Sequence, residues 1–258
     1  PQAVPSSFTI DPSHCLFLVK KECRQCEQAC KDIKAIQLNQ KEEHIELGVG
    51  ALIVAPGFDE FEARKKKDYG YAEFANVITS IEFERIQSAS GPFQGHIVRP
   101  SDGTTPKKIA FLQCVGSRDM ATNAYCSSVC CTYAIKEAII AKEHEPALDV
   151  ALFYMDIRTQ GKGFESFFER AKNDFGIRFI RSRLAELEKV SGSENLMLKF
   201  VTEEGKHETE EFDLVVLSVG LEPSRSAKEL AETLGIQLTQ EGFCSTAEFA
   251  PTCTTRKE

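Results

Sequence analysis

From Lys107 onward the chain alternates buried strand, helix, strand, helix, strand, and that order confines it to a small set of folds. Ile109-Ala-Phe-Leu-Gln113 reads as a strand, and residues 127 to 143 as a helix with Ile135, Ala138 and Ile139 on one apolar face. Leu148 to Tyr154 is the next strand, Phe164 to Phe175 the next helix, and Ile177-Arg-Phe-Ile180 the third strand. Right-handed crossovers between such strands give a parallel sheet covered by helices. Leu184 to Glu211 then reads as two or three antiparallel strands with turns at Ser191-Gly192 and Glu204-Gly205. Phe212-Asp-Leu-Val-Val-Leu-Ser-Val-Gly220 returns to a buried strand. Upstream, Gly50-Ala-Leu-Ile-Val-Ala-Pro-Gly57 has the unbroken hydrophobicity of a strand buried on both faces. A connector from 58 to 105 carries a helix near Ile81 to Gln87 and turns at Gly91-Pro92 and Asp102-Gly103.

In a dinucleotide-binding unit the first strand-to-helix turn is a glycine-rich loop, because bare backbone lets a pyrophosphate reach the helix N-terminus. Here the turn after Gln113 holds Cys114, Cys126, Cys130 and Cys131 instead. No Gly-x-Gly-x-x-Gly follows the strand, and Gly116 alone does not make a phosphate turn, so ordinary pyridine-nucleotide binding is excluded. Cys126, Cys130 and Cys131 are expected at the helix start, where free N–H groups and the positive end of the dipole favour thiolates. Cys114 arrives from the strand. A second group, Cys15, Cys23, Cys26 and Cys30, stands near the start of the chain. Its close spacings suit a cubane cluster wrapped by successive backbone turns, but Lys31 replaces the proline that follows the last cysteine of a bacterial ferredoxin loop. Four thiolates also make a closed zinc site and uncoordinated thiols are a third reading of the first group, while buried free thiols or a vicinal or cross-loop disulfide remain open for the second. His14 reads as a surface histidine, and Cys244 and Cys253 as bystanders.

Ten cysteines in 258 residues do not make this a disulfide framework, which belongs to small secreted domains. A net charge of −8 removes any general pull toward nucleic acid, and Lys65, Lys66 and Lys67 read as a solvated loop. No apolar stretch reaches the roughly 20 residues needed to span a bilayer and no secretory signal opens the chain, so a cytoplasmic protein without membrane insertion is expected. Residue 1 is proline and Thr254 to Glu258 form a charged tail with no closing element, as in a fragment. The strands ending at Gly57 and Gly220 close alike, in Val-Ala-Pro-Gly and Ser-Val-Gly. Flavoproteins built from two dinucleotide-binding folds have such a pair of crossings between domains; two strands that merely stop at glycine would read the same.

The runs Leu112-Gln-Cys-Val-Gly-Ser-Arg-Asp119, Tyr125-Cys-Ser-Ser-Val-Cys-Cys-Thr-Tyr-Ala134 with Lys136, Phe153-Tyr-Met-Asp-Ile-Arg158 and Gly161-Lys-Gly163 closely resemble the flavoprotein A-subunit of heterodisulfide reductase. Pro1-Gln-Ala-Val-Pro5 and the first cysteine group fit the same family, and the flavoprotein of quinone-interacting membrane-bound oxidoreductase complexes is the nearest alternative. The resemblance implies an α/β, thioredoxin-reductase-like fragment of two dinucleotide-binding domains, with a parallel sheet, an antiparallel meander and an N-terminal iron–sulfur segment. Its expected order is a cysteine-rich segment over 1–45, a flavin-domain remnant and connector over 46–105, a second dinucleotide-binding-like domain over 106–222, and a truncated return to the flavin domain over 223–258. Both cysteine quartets become [4Fe-4S] ligands, about two clusters in this segment. FAD belongs to the full-length protein, with Pro56, Gly57, Val219 and Gly220 lining its crevice, and the piece alone is expected to lack stoichiometric FAD and activity. Lys136, about a turn and a half of helix past Cys131, is either a plain surface lysine or a fixed charge stabilising reduced flavin. The implied function is electron relay between FAD and clusters, with flavin-based bifurcation. Implied partners are the other subunits of such a complex, with a hydrogenase, a formate dehydrogenase and a second copy of the chain as candidates. Two rival functions stand beside it: a zinc-holding docking module, and a thiol–disulfide oxidoreductase working through Cys130 or Cys131.

Overall fold

A computed structural model describes residues 9–41, 43–182 and 184–254. The Pro1–Pro5 match and residues 255–258 of the charged tail lie outside them. The chain divides into two compact units, Pro1–Val54 and Ala55–Glu258.

The first unit has little core of its own. Helix α1 (Leu16–Lys20) starts at Cys15 and stops at Lys21, whose left-handed backbone lets its N–H reach back to the Phe17 carbonyl. Helix α2 (Gln25–Ala29) ends at Cys30. Phe17 and Leu38 are the buried apolar side chains here, and the cations of Lys21 and Arg24 lie 4.9 and 4.5 Å from the centre of the Phe17 ring.

The second unit begins with strand β1 (Phe58–Glu60), followed by β2 (Val77–Thr79) and helix α3 (Ser80–Gln87). Thr79 and Glu82 cap α3 reciprocally, each side chain bonding the other's backbone N–H. Then come β3 (Lys108–Val115), α4 (Cys130–His144), β4 (Asp149–Tyr154), α5 (Phe164–Asn173) and β5 (Arg178–Arg181). Strands β6 (Leu184–Lys189), β7 (Leu196–Val201) and β8 (His207–Phe212) form an antiparallel meander, turning at Gly192 and Gly205 in left-handed backbone. The chain closes through β9 (Leu214–Val219), β10 (Leu221–Pro223), α6 (Ala227–Leu234) and the small ribbon of β11 (Thr246–Ala247) and β12 (Ala250–Thr254).

The main sheet is parallel throughout, in the order β2-β9-β3-β4-β5. Its three central strands alternate between two cores, as the period of a strand dictates. Ile109 and Phe111, Val150 and Leu152, and Leu214 and Val216 face one core with α3, α4 and α5. Ala110 and Leu112, Ala151 and Phe153, and Val215 and Leu217 face the other, packed on Leu196, Leu198, Phe200 and Phe212 of the meander. Burial on both faces explains the near-continuous apolar runs in these strands.

Two expectations fail locally. Residues 50–57 are not a buried strand: they are irregular, with Leu52 64% and Ile53 92% exposed, because among the described residues no strand offers them a ladder or a covering face. Pairing starts only at β1, which runs antiparallel to β10. Helix α4 begins at Cys130 rather than 127, since Ser128 has φ of 63°, which no helix accommodates. Cys126 therefore stands in the loop before the helix.

Phe111 is fully buried, edge-to-face with Phe83 at 5.5 Å. Phe111→Ala is expected to cost roughly 3–5 kcal/mol, read as a lowered urea midpoint with an unchanged slope.

Candidate metal centre

The loop after β3 is shaped by backbone that departs from the strand. At Cys114 φ is 61°, and pairing with β9 slips between Leu112 and Val115, so the strand bulges where it carries its cysteine. A bulge re-aims a side chain without ending the strand. Gly116 follows at φ 74°, and a Cβ there would lie 2.1 Å from the Phe61 ring, so only glycine fits. Arg118 and Ser128 are also left-handed, an uncommon state outside glycine.

Hydrogen bonds hold this shape. Ser117 Oγ donates to the Tyr125 carbonyl at 2.9 Å and accepts from Ser127 N–H at 3.2 Å. Ser127 Oγ accepts from Leu221 N–H at 2.9 Å, and Tyr125 Oη donates to the Leu221 carbonyl at 2.9 Å. Asn123 bridges the Gly116 carbonyl and Glu222, and Lys66 pairs with Asp119. The second half of the loop, from Asn123 to Ser127, is thus tied to β10.

The four thiols of this loop influence one another. Cys130 and Cys131, in the first turn of α4, are buried, and Cys114 and Cys126 are half-buried. Burial raises the Cys114 thiol; Arg118 opposes this, and Cys126 adds to it. Burial pushes Cys130 up to about 12, against a hydrogen bond with Tyr133, with Cys114, Cys131 and Cys126 adding to the rise. Cys131 is raised by burial, opposed by a hydrogen bond from the Arg158 backbone, and raised further by Cys114 and Cys126. Thiols this reluctant to ionise are not poised nucleophiles. A bound metal reverses that preference, because a coordinating thiol is deprotonated outright. The donor set fits an iron–sulfur or zinc group: four soft ligands, a helix N-terminus, and polar contacts aimed at sulfur, including Ser128 N–H to Cys126 Sγ at 3.4 Å. As placed, no three or more His, Cys, Asp or Glu side chains among the described residues are gathered tightly enough to hold a metal ion. The second-quartet thiols influence one another across the loop without closing into a tight cage.

The first quartet lies on and around the two short helices of its own unit: Cys15 before α1, Cys23 in the link, Cys26 within α2 and Cys30 at its close. Cys26 is exposed and the other three are partly so. All ten cysteines are free thiols, Cys244 and Cys253 among them.

The residues expected around a flavin are spread out. Pro56 and Gly57 precede β1, whereas Val219 and Gly220 precede β10, so antiparallel pairing leaves the two pairs at opposite ends of the ladder. Gly220 is packed against Ser117 and Ser127, at 3.0 Å from where a Cβ would be, while Gly57 adjoins open space. The Val219 carbonyl accepts from Tyr133 Oη at 2.7 Å and from Cys130 Sγ at 3.8 Å. Lys136 pairs with Glu84 at 2.7 Å, both about half exposed (45% and 49%), beside a cavity of about 570 Å³ lined by Thr132, Tyr133, Phe164 and Phe167.

The polar residues behind the thiols carry no mark of their roles in the sequence. Tyr133, Arg118, Asp156 and Arg158 all stand within the family-like runs, but only contact reveals what they do. Glu137 gave no signal at all: it lies one turn beyond Tyr133 on α4, 1% exposed, with Oε2 lacking a hydrogen-bond partner.

No protein-family model matches the chain. Among curated proteins, the chain is 45% identical over 244 residues to the iron-sulfur A-subunit of the CoB–CoM heterodisulfide reductase of Methanocaldococcus jannaschii, covering 94% of this chain and 36% of that protein. It is 48% identical over 245 residues to the second iron-sulfur A-subunit of the same reductase in Methanopyrus kandleri, with the same coverage. To the A-subunit of the ferredoxin/F420H2-dependent CoB–CoM heterodisulfide reductase of Methanosarcina acetivorans it is 39% identical over 248 residues, covering 96% of this chain and 30% of that one. The chain spans about a third of the length of these relatives. Among solved structures, a thioredoxin reductase from T. acidophilum overlaps 78% of this chain and 52% of its own at 13% identity and a TM-score of 0.43. A 2-naphthoyl-CoA reductase overlaps 69% of this chain and 21% of its own at 16% identity and a TM-score of 0.41. Overlaps that slight carry no argument, and the fold rests on its strand order. That order, with thiols in the first crossover, defines an α/β unit with a parallel sheet whose first strand-to-helix turn carries cysteines. Over 94–96% of its length the chain is homologous to the A-subunits of heterodisulfide reductases.

Burial drives the Glu137 carboxyl up to about 9, with Glu84 adding and Lys136 opposing. The native state therefore keeps a proton that the unfolded chain releases above its ordinary carboxylate value, and stability falls as pH rises from about 4.5 toward 9. Glu137→Gln is expected to match the parent near pH 4 and to exceed it by about 2 kcal/mol at pH 7, read from urea unfolding at both values.

Proposed function

We propose that this chain relays electrons between FAD and two [4Fe-4S] clusters in a heterodisulfide-reductase-type complex, with Cys15, Cys23, Cys26 and Cys30 holding one cluster and Cys114, Cys126, Cys130 and Cys131 the other. The observation that carries this reading is the set of four cysteines gathered at the turn between β3 and α4, two of them buried in the first turn of the helix. When bound, such clusters supply one-electron steps at potentials set by ligation, hydrogen bonding and burial. The protein's part is to set those conditions. At the second quartet the Ser128 N–H donates to Cys126 Sγ, and Cys130 and Cys131 lie buried in the first turn of α4. The first quartet is more exposed. Different surroundings give two carriers different potentials, the condition that splitting an electron pair between two paths requires; bifurcation is part of the proposal on that ground.

The flavin reading extends to Lys136 and to Pro56, Gly57, Val219 and Gly220. The cavity beside Lys136 is lined by aromatic side chains with a cation at its rim, chemistry suited to a reduced flavin ring. The complex would supply the remaining partners: other reductase subunits, with a hydrogenase or formate dehydrogenase as electron source. No helix among the described residues is long and apolar enough to cross a membrane, and a cytoplasmic complex is proposed.

Chain purified anaerobically is expected to carry about eight iron atoms with matching acid-labile sulfide. Zinc in their place would make it a docking module, and neither metal would leave thiol chemistry at Cys130 and Cys131. Lys136→Ala in the FAD-loaded protein is expected to lower the flavin midpoint potential; an unchanged potential removes Lys136 from the flavin site.

A further inference from the structure

Cys126 stands between two residues that grip the same partner. Tyr125 Oη donates to the Leu221 carbonyl at 2.9 Å, and Ser127 Oγ accepts from the Leu221 N–H at 2.9 Å. Both main-chain polar groups of Leu221 are thereby held by the neighbours of one thiol. The residues around Leu221 are held too. The Val219 carbonyl accepts from Tyr133 Oη at 2.7 Å, the Gly220 N–H donates to the Val115 carbonyl at 2.8 Å, the Gly220 carbonyl accepts from Phe61 N–H at 2.9 Å, and Glu222 Oε1 accepts from Asn123 Nδ2 at 3.0 Å. In the ladder of β1 and β10, Leu221 stands opposite Glu60. That ladder is three residue pairs long, and a two-stranded ribbon is marginal by itself in water. The cysteine loop supplies the bonds it lacks and is steadied in return. Cys114, Arg118 and Ser128 keep left-handed backbone at φ of 61°, 56° and 63°, a state that non-glycine residues hold only where the surroundings over-determine it.

We infer that Tyr125 and Ser127 couple the second quartet to the β1–β10 ladder: filling the quartet fixes Cys126 and, through its two neighbours, locks Leu221, while losing the bound group loosens the ladder. The inference rests on the ligand reading given above. Cys114 belongs to the end of β3, and Cys130 and Cys131 to the first turn of α4, elements packed into the sheet, whereas Cys126 stands in the loop between them. Because the thiols are not gathered into a tight cage as placed, a bound group has to draw on that loop, and the loop is fastened to Leu221. Such coupling is reciprocal: what the bound group adds to the hold on the ladder, an intact ladder adds to the hold on the group. Tyr125 and Ser127 act through Cys126 and are positioning residues.

The test is hydrogen–deuterium exchange read by mass spectrometry on the full chain purified anaerobically, as prepared and after stripping with a chelator. It follows the peptide that carries Leu221, with the β7 peptide of the meander as control. Stripping is expected to speed exchange in the Leu221 peptide roughly tenfold and to leave β7 unchanged. Cys126→Ala, which disables the second quartet alone, is expected to match the stripped parent in the Leu221 peptide. Ser127→Ala removes the acceptor of the Leu221 N–H. Tyr125→Phe removes the donor to the Leu221 carbonyl and keeps the ring edge-to-face with Phe243 at 5.5 Å. Bonds that were merely structural would speed exchange by one factor with and without iron. Coupling instead makes the filled variants exchange like stripped parent, so that the ratio between the two states shrinks, and each variant gives up iron at about a fivefold lower chelator concentration. Ser127→Thr keeps the hydroxyl and is expected to restore the parent ratio. Equal exchange at Leu221 in filled and stripped parent overturns the inference. So does a parent-like ratio in Tyr125→Phe, which decides the matter should Ser127→Ala fail to fold. Parent protein without iron and sulfide overturns the ligand reading itself and the coupling with it, whereas iron-loaded parent whose Leu221 peptide ignores stripping overturns only the coupling.

Discussion

The structure depends on β3 being buried on both faces. The strand pairs with β9 on one side and β4 on the other, and its side chains go alternately to the helical core and to the meander core. Neither core is complete without it. Because it is clamped along this length, it can depart from regular geometry at its end, where Cys114 stands in a bulge with left-handed backbone. A strand held on one face only would have little to oppose the strain. The site is thus a local distortion sustained by a conventional sheet.

A second constraint follows from where the loop is anchored. Ser117, Ser127, Tyr125 and Asn123 all bond to the loop itself or to Leu221 and Glu222. Strand β10 is paired with β1, and Phe61, just past β1, fills the space that Gly116 leaves open. The connector and the cysteine loop consequently share one packing problem. That is the physical content of Gly116, where the Phe61 ring occupies the Cβ position; at Gly220 the side chains of Ser117 and Ser127 crowd it at 3.0 Å.

The sheet was legible in the sequence because burial on both faces writes itself as unbroken apolar runs, as in Ile109–Leu112 and Leu214–Val219. The same signal misled at 50–57, where the run is apolar but no neighbouring strand among the described residues covers it. Of the site, the cysteines were legible from their place between strand and helix. The start of α4 was misjudged by three residues, since nothing in Cys-Ser-Ser-Val announces a left-handed serine. Arg118, Asp156 and Glu137 were invisible for a different reason. Arg118 and Asp156 pair with each other across 38 residues of chain, and ordinary charged residues on a surface spell the same way as these three.

The Val219 carbonyl receives two donors, the Tyr133 hydroxyl and the Cys130 thiol. A carbonyl has two lone pairs and tolerates one donor without penalty. If the thiol gives up its hydrogen on binding metal, the end of β9 still has its tyrosine, and no buried acceptor is orphaned. The redundancy lets Cys130 change from donor to ligand while the strand that ends beside it stays where it is.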